Sequence, residues 1–273
     1  MKQFVKVALV TILSLIGLAL AVILRDSIFS DFVAPMFGLI KNGQPTPIAG
    51  TTVLFIWGMI VAVIPKLLLN LKWPIRFHFK LRDDVNWLTV LPVIIALLWA
   101  IFPQIWDTIK VLPTSDFTTI YRNFMVGFQP GFFEELVVRC AVLLAFLFVM
   151  EKTQWQALGA AIGSSIAFGF VHFINLTGGA PLEDTIQQVI YAVGFGLVFV
   201  AIYFRTNSLW IPMVLHGLTD FTSEFQSDGV GGTWMALIIY IVPMALIALW
   251  LLRPSMNDYN LKSFSEVNDS PLK

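Results

Sequence analysis

Two neighbouring carboxylates, Glu134 and Glu135, interrupt one of the most apolar stretches of the chain, with Phe132 and Phe133 before them and Arg139 after. Ionised side chains at membrane depth are costly and persist mainly where they face a protein interior or a wet cavity and carry function. Glu135 and Arg139 are four residues apart, so a helix puts them on one face and turns Glu134 about 100° away. One carboxylate can then be held by the arginine while the other stays free. Phe168 with His172, and His216 with Asp220, repeat the four-residue spacing on two later segments. A carboxylate in a low-dielectric cavity is a stronger proton acceptor than one in water, as a general base must be. Imidazoles beside it could position a water or polarise a carbonyl. Two histidines and a glutamate, here Glu134, His172 and His216, could also hold zinc with an open position for water. The local spacing is not that of the HExxH zinc helix.

Each pair alone has a plain structural reading: an ion pair that locks helices, a hydrogen-bonded packing histidine, a helix-packing pair. Their combination says more. Only three histidines occur in the chain, and two of them lie in apolar segments separate from the one bearing the glutamates. Glu134, His172, His216 and Asp220 are all expected in the outer part of their spans, so the groups would meet at one membrane level.

The elements that must position them are membrane helices. The 273 residues are 58% hydrophobic and 12% charged, with a mean hydropathy of +0.81, against about 25% charged in soluble proteins. Near-spanning apolar stretches at about 4–24, 51–71, 87–106, 117–150, 155–174, 184–204, 208–221 and 233–252 predict an all-α, polytopic bundle of about eight transmembrane helices. The fourth stretch is too long for a simple span and contains Gly127, Pro130 and Gly131. A break is expected there, with the main helix starting near Phe132 and the two glutamates in its first turn, where carboxylates are favoured. Pro212 would loosen the start of the short seventh stretch, which then lines a cavity as a partial span. Three parts follow: N-terminal spans and a cytoplasmic loop (1–110), a catalytic helical core (111–252) and a polar cytoplasmic tail (253–273).

With eight spans, twelve of the 17 Lys and Arg fall on the side of both termini, against Arg25, Lys41, Lys110 and Arg122 on the other. By the positive-inside rule the termini are cytoplasmic. Lys2 and Lys6 precede an apolar run in which Ala19-Leu20-Ala21 weakly matches a signal-peptidase site; Val22, Ile23 and Leu24 continue the run, so an uncleaved first span is expected. The stretch from Lys72 to Trp87 mixes aromatic and basic residues and reads as resting on the membrane surface, with a solvated loop as the alternative. Acidic and basic residues balance at 17 each and no basic run occurs, so no nucleic-acid partner is expected. The one cysteine, Cys140, rules out an internal disulfide and reads as a small buried hydrophobe.

Glu134-Glu135-x-x-x-Arg139, Phe168-x-x-x-His172 and His216-x-x-x-Asp220, in that order, resemble the three motifs of the CPBP (Abi) family of intramembrane proteases, which groups CAAX-processing endopeptidases with bacteriocin-associated proteins. The resemblance covers roughly residues 120 to 225. It implies an endopeptidase in which Glu134 and His172 activate a water and Glu135 and Arg139 form a supporting pair. His216 and Asp220 would bind the scissile carbonyl and stabilise the oxyanion, and Phe168 would line the substrate site. Asp220 stands where eukaryotic CAAX enzymes commonly carry Asn and bacterial members either residue, so a bacterial cell membrane is the implied setting. The family has been described both as metalloprotease and as glutamate-dependent protease, so either no cofactor or a divalent metal such as zinc remains open.

The leading expectation is therefore a membrane-embedded endopeptidase acting, among membrane lipids, on a peptide or membrane-anchored protein, with bacteriocin self-immunity or peptide maturation as settings. The outward position of the polar cluster points away from a CAAX protein, which would be processed at a cytoplasmic face. A noncatalytic immunity or scaffold protein and an ion-coupled transporter are the alternatives. An inverted repeat with broken helices would favour transport, and none is evident.

Overall fold

A computed structural model describes residues 2–42, 44–70, 80–151, 153–226 and 234–256. The tail beyond 256 and the part of the Lys72–Trp87 stretch before Lys80 lie outside the described residues. The described residues are helical almost throughout. α1 (Lys2–Ile28) runs on through a π turn, Phe29–Val33, to Met36, and a hairpin of Ile40–Lys41 against Gln44–Pro45 follows. Next come α2 (Ala49–Asn70), α3 (Trp87–Ala100), α4 (Phe102–Val111) and α5 (Phe117–Val137). A π turn, Val138–Val142, joins α5 to α6 (Leu143–Val149). α7 (Gln156–Val171) ends in a 3-10 segment, His172–Gly178, before α8 (Leu182–Thr206), α9 (Trp210–Ser223) and α10 (Val242–Leu252).

Four helical stretches among the described residues are long and apolar enough to cross a membrane: Val5–Met36, Gln156–Gly178, Leu182–Thr206 and Trp234–Leu252. A fifth is reached if α3 and α4, bent by 57°, count as one span. The bend falls at Ile101, just before Pro103, whose ring nitrogen has no hydrogen to donate to the preceding turn. α1 leaves Val5, Leu9, Ile12, Leu13, Ile16 and Leu20 exposed, an outer surface suited to lipid. α8 is the central helix: every residue from Gly194 to Thr206 is buried, as in a helix enclosed on all sides.

The fourth apolar stretch departs from expectation. α5 starts at Phe117, capped by the Asp116 side chain accepting from the Thr119 amide at 2.9 Å, and passes through Gly127, Pro130 and Gly131 without a break. The glutamates therefore sit near its C-terminal end rather than in a first turn. The glycines serve close approach. A β-carbon on Gly127 would meet the Phe221 backbone at 2.5 Å, and one on Gly131 the Gly217 amide nitrogen at 2.4 Å. Four residues forward on α5 match four residues back on α9, so the two helices run antiparallel with their backbones touching. Small residues at such positions are how membrane helices pack without a hydrophobic driving force between them.

α7 packs on α8 by the same device. Ala157, Ala160, Ala161, Ser164 and Ser165 are buried on α7, and a β-carbon on Gly196 of α8 would stand 2.9 Å from the Ser165 hydroxyl. This seats Phe168, near the end of α7, against His216 of α9.

Candidate active site

The arrangement is built around one imidazole. His216, buried on α9, turns Nδ1 to Glu135 Oε1 at 3.3 Å and Nε2 to Asp220 Oδ2 at 3.5 Å and Glu134 Oε2 at 3.8 Å. Glu135 is fully enclosed and held bidentately by Arg139, with Nε to Oε2 at 2.8 Å and Nη2 to Oε1 at 2.9 Å. The four-residue spacing supplies this pair directly. Arg139 begins its side chain inside the π turn that follows α5, and turns of this kind occur frequently at functional sites. Glu134, turned away from that pair, is partly exposed, and its nearest partners stand at 3.8 and 3.9 Å, beyond hydrogen-bond reach.

Aromatic rings fix the imidazole. Phe199 of α8 stacks on His216 with centroids 5.1 Å apart and planes at 24°, while Phe168 meets it edge-on at 6.1 Å. Phe168 also stands edge-on to His172 at 5.1 Å, so one ring touches both histidines. His172 closes α7, and its Nδ1 lies 3.1 Å from the Phe168 carbonyl. Donation from Nδ1–H to that carbonyl leaves Nε2 as an acceptor.

Glu134, Glu135, Arg139, His216 and Asp220 thus come into direct contact, and Phe168 bridges them to His172. His172 itself pairs with none of the carboxylates. Among the described residues no three His, Cys, Asp or Glu side chains are arranged to hold a metal ion. Glu134, His172 and His216, the set expected for zinc, do not converge as donors in this geometry.

Three participants were not legible in the motifs. Arg25 of α1 brings Nη1 to 3.9 Å from Glu134 Oε1 and lays its guanidinium over the Phe133 ring, 4.9 Å from the centroid. It follows an apolar run ending at Leu24 and so reads as an outer flank of a span. The signal available was the return of apolar residues at Ile28, Phe29, Phe32 and Val33, which extends the helix past it. Phe199 is one of 24 phenylalanines and carried no distinguishing signal. Gly217 follows His216 directly, yet its role depends on which helix it faces.

A cavity of about 640 Å³ opens between α1 and the segment after His172. Val22, Ile23, Asp26 and Ser27 line one side and Ile174, Asn175, Thr177 and Gly178–Ala180 the other.

No curated protein and no solved structure matches the chain. Residues 116–222 match the family model described as "Rce1-like: Type II CAAX prenyl endopeptidase Rce1-like", a segment that begins at the cap of α5, ends within α9 and contains all three motifs. That segment is similar to the type II CAAX prenyl endopeptidases the model describes, in line with the resemblance carried by the three motifs.

Proposed function

We propose that the protein is an intramembrane endopeptidase that hydrolyses a peptide bond in a membrane-associated peptide or protein, with maturation of a secreted peptide or self-immunity to a bacteriocin as its setting. The observation that carries this reading is the meeting of three carboxylates and a buried arginine around the His216 ring, with one carboxylate, Glu134, left without a hydrogen bond.

In this mechanism Glu134 takes a proton from a water that His172 Nε2 orients. The water oxygen bonds to the carbonyl carbon, and the carbonyl electron pair moves onto its oxygen. Glu135, itself clamped by Arg139, holds His216 through Nδ1. The Nε2 edge then faces the space between Glu134 and Asp220, where the scissile carbonyl would lie. The proton held by Glu134 passes to the amide nitrogen as the C–N bond breaks and the carbonyl re-forms. Preorganised polar groups in a water-poor site are the largest source of rate enhancement in such chemistry.

The test uses the full chain in nanodiscs with internally quenched peptides, prenylated CAAX peptides among them. Wild-type protein cleaves at least one, and Glu134→Gln and His172→Ala each lower kcat by about 10²–10⁴-fold, the scale of general acid-base catalysis. A Glu134→Gln protein that inserts normally and retains full activity overturns the reading.

A further inference from the structure

Arg25 lies outside the matched segment, yet its guanidinium faces the site in an unusual state. Nε and Nη2 are both committed to the Asp26 carboxylate, at 2.6 and 2.8 Å. The third nitrogen, Nη1, is buried and has no hydrogen-bond partner among the described residues. Buried donors are nearly always satisfied, and an orphan beside a reactive site calls for an explanation. Its neighbour Glu134 Oε1 stands 3.9 Å away, too far to accept from it and far enough to admit an oxygen atom near both. The Phe133 face beneath the guanidinium and the Asp26 clamp together fix the direction in which Nη1 points.

Two further observations bear on what that oxygen is. Asp220, whose Oδ2 lies 3.5 Å from His216 Nε2, is a carboxyl and has no amide N–H to give a developing oxyanion. The cavity lined by Ser27 and by Asp26, the carboxylate that holds Arg25, on one side and by the residues after His172 on the other gives a chain of substrate a place along α1.

We propose that Arg25 is a catalytic residue that donates from Nη1 to the oxyanion formed on the scissile carbonyl oxygen of the peptide substrate. This rests on the hydrolase reading above. As the water oxygen bonds to the carbonyl carbon, the displaced electron pair comes to rest on an oxygen facing Nη1–H. No proton is transferred from Arg25, and the pair returns to the carbon when the C–N bond breaks. The first helix of the chain thereby supplies a positive donor from outside the three motifs.

The experiment compares wild type, Arg25→Met and Arg25→Lys in nanodiscs on one internally quenched peptide that the wild type cleaves, with the thermal midpoint of each variant as a check on folding. Arg25→Met, which keeps length but removes donor and charge, is expected to lower kcat by about 10²–10³-fold with KM within about twofold, the scale of losing one oxyanion donor. Arg25→Lys is expected to recover at least about tenfold of that loss. A phosphinic-peptide mimic of the tetrahedral state is expected to lose affinity for Arg25→Met in step with kcat. The uncleaved peptide is expected to bind Glu134→Gln equally well with or without Arg25→Met. Unchanged kcat in Arg25→Met, a loss confined to KM, or a folded Arg25→Lys no better than Arg25→Met overturns the proposal while leaving the hydrolase reading intact. Failure of the wild type to cleave any peptide in the set overturns both.

Discussion

Gly131 and Gly217 bring two helices into backbone contact: a β-carbon on Gly131 would stand 2.4 Å from the Gly217 amide nitrogen and 2.7 Å from its Cα. That approach sets the depth at which His216 meets Glu134 and Glu135. Backbone cannot swing aside as a flexible side chain can, so Gly131→Ala must push α9 away from α5. A displacement of about 1 Å at a catalytic group can cost about 10²-fold in rate, and a kcat loss of that order is expected. Gly17→Ala on α1, where a β-carbon meets nothing within 4 Å, is expected to leave kcat unchanged. Peptide cleavage at matched amounts of inserted protein decides between them.

The cap of α5 gives a pH-dependent signature outside the membrane. Hydrogen bonds from the Thr119 amide and hydroxyl hold the exposed Asp116 carboxyl below the usual carboxylate range. A depressed folded-state pKa stabilises the fold above the unfolded value, about 3.9 for Asp, and the contribution fades as pH falls through the folded value. Asp116→Asn keeps a capping oxygen without a titrating charge. The thermal midpoint of wild type minus that of Asp116→Asn is therefore expected to be constant above about pH 5 and to fall below pH 4. A difference independent of pH would show that the carboxylate charge contributes nothing there.

Much of the site was legible because helical spacing is a local property. Glu135 and Arg139 pair as four-residue neighbours must, and His216 and Asp220 do the same at longer range. What the spacing could not convey was tertiary. Gly127, Pro130 and Gly131 have the composition of a break, yet in a bundle the same glycines admit a neighbouring backbone and the helix continues through the proline. Arg25 was not singled out for a related reason, since a charge after an apolar run resembles a span boundary until the partner that receives it is known. The place of His172 was equally tertiary: at the end of α7 it turns Nδ1 to the Phe168 carbonyl of its own helix and meets the Phe168 ring.

Phe199 supplies the flat surface on which His216 rests. Phe199→Leu keeps an apolar side chain but removes the stacking plane, so the ring gains freedom to tilt away from Glu135. The expected result is roughly a tenfold fall in kcat for a destabilisation of about 1–2 kcal/mol. Activity and thermal unfolding measured on the same nanodisc sample separate the two effects. Equal kcat in the two proteins would mean that Glu135 and α9 alone fix the ring.

The Glu135–Arg139 pair separates folding from function more sharply. Both side chains are within 1% of complete burial, so removing either partner leaves an uncompensated charge, a loss of about 3–5 kcal/mol. Arg139→Met alone and Glu135→Leu alone are each expected to lower the thermal midpoint and abolish cleavage. The double variant buries neither charge, and replacing a buried pair by apolar residues of similar volume is often neutral, so its midpoint is expected to return near that of wild type. Cleavage is not expected to return with it, because His216 Nδ1 then has no carboxylate facing it. Recovery of both would reduce the pair to a lock between helices, whereas recovery of stability alone assigns Glu135 to orienting the imidazole.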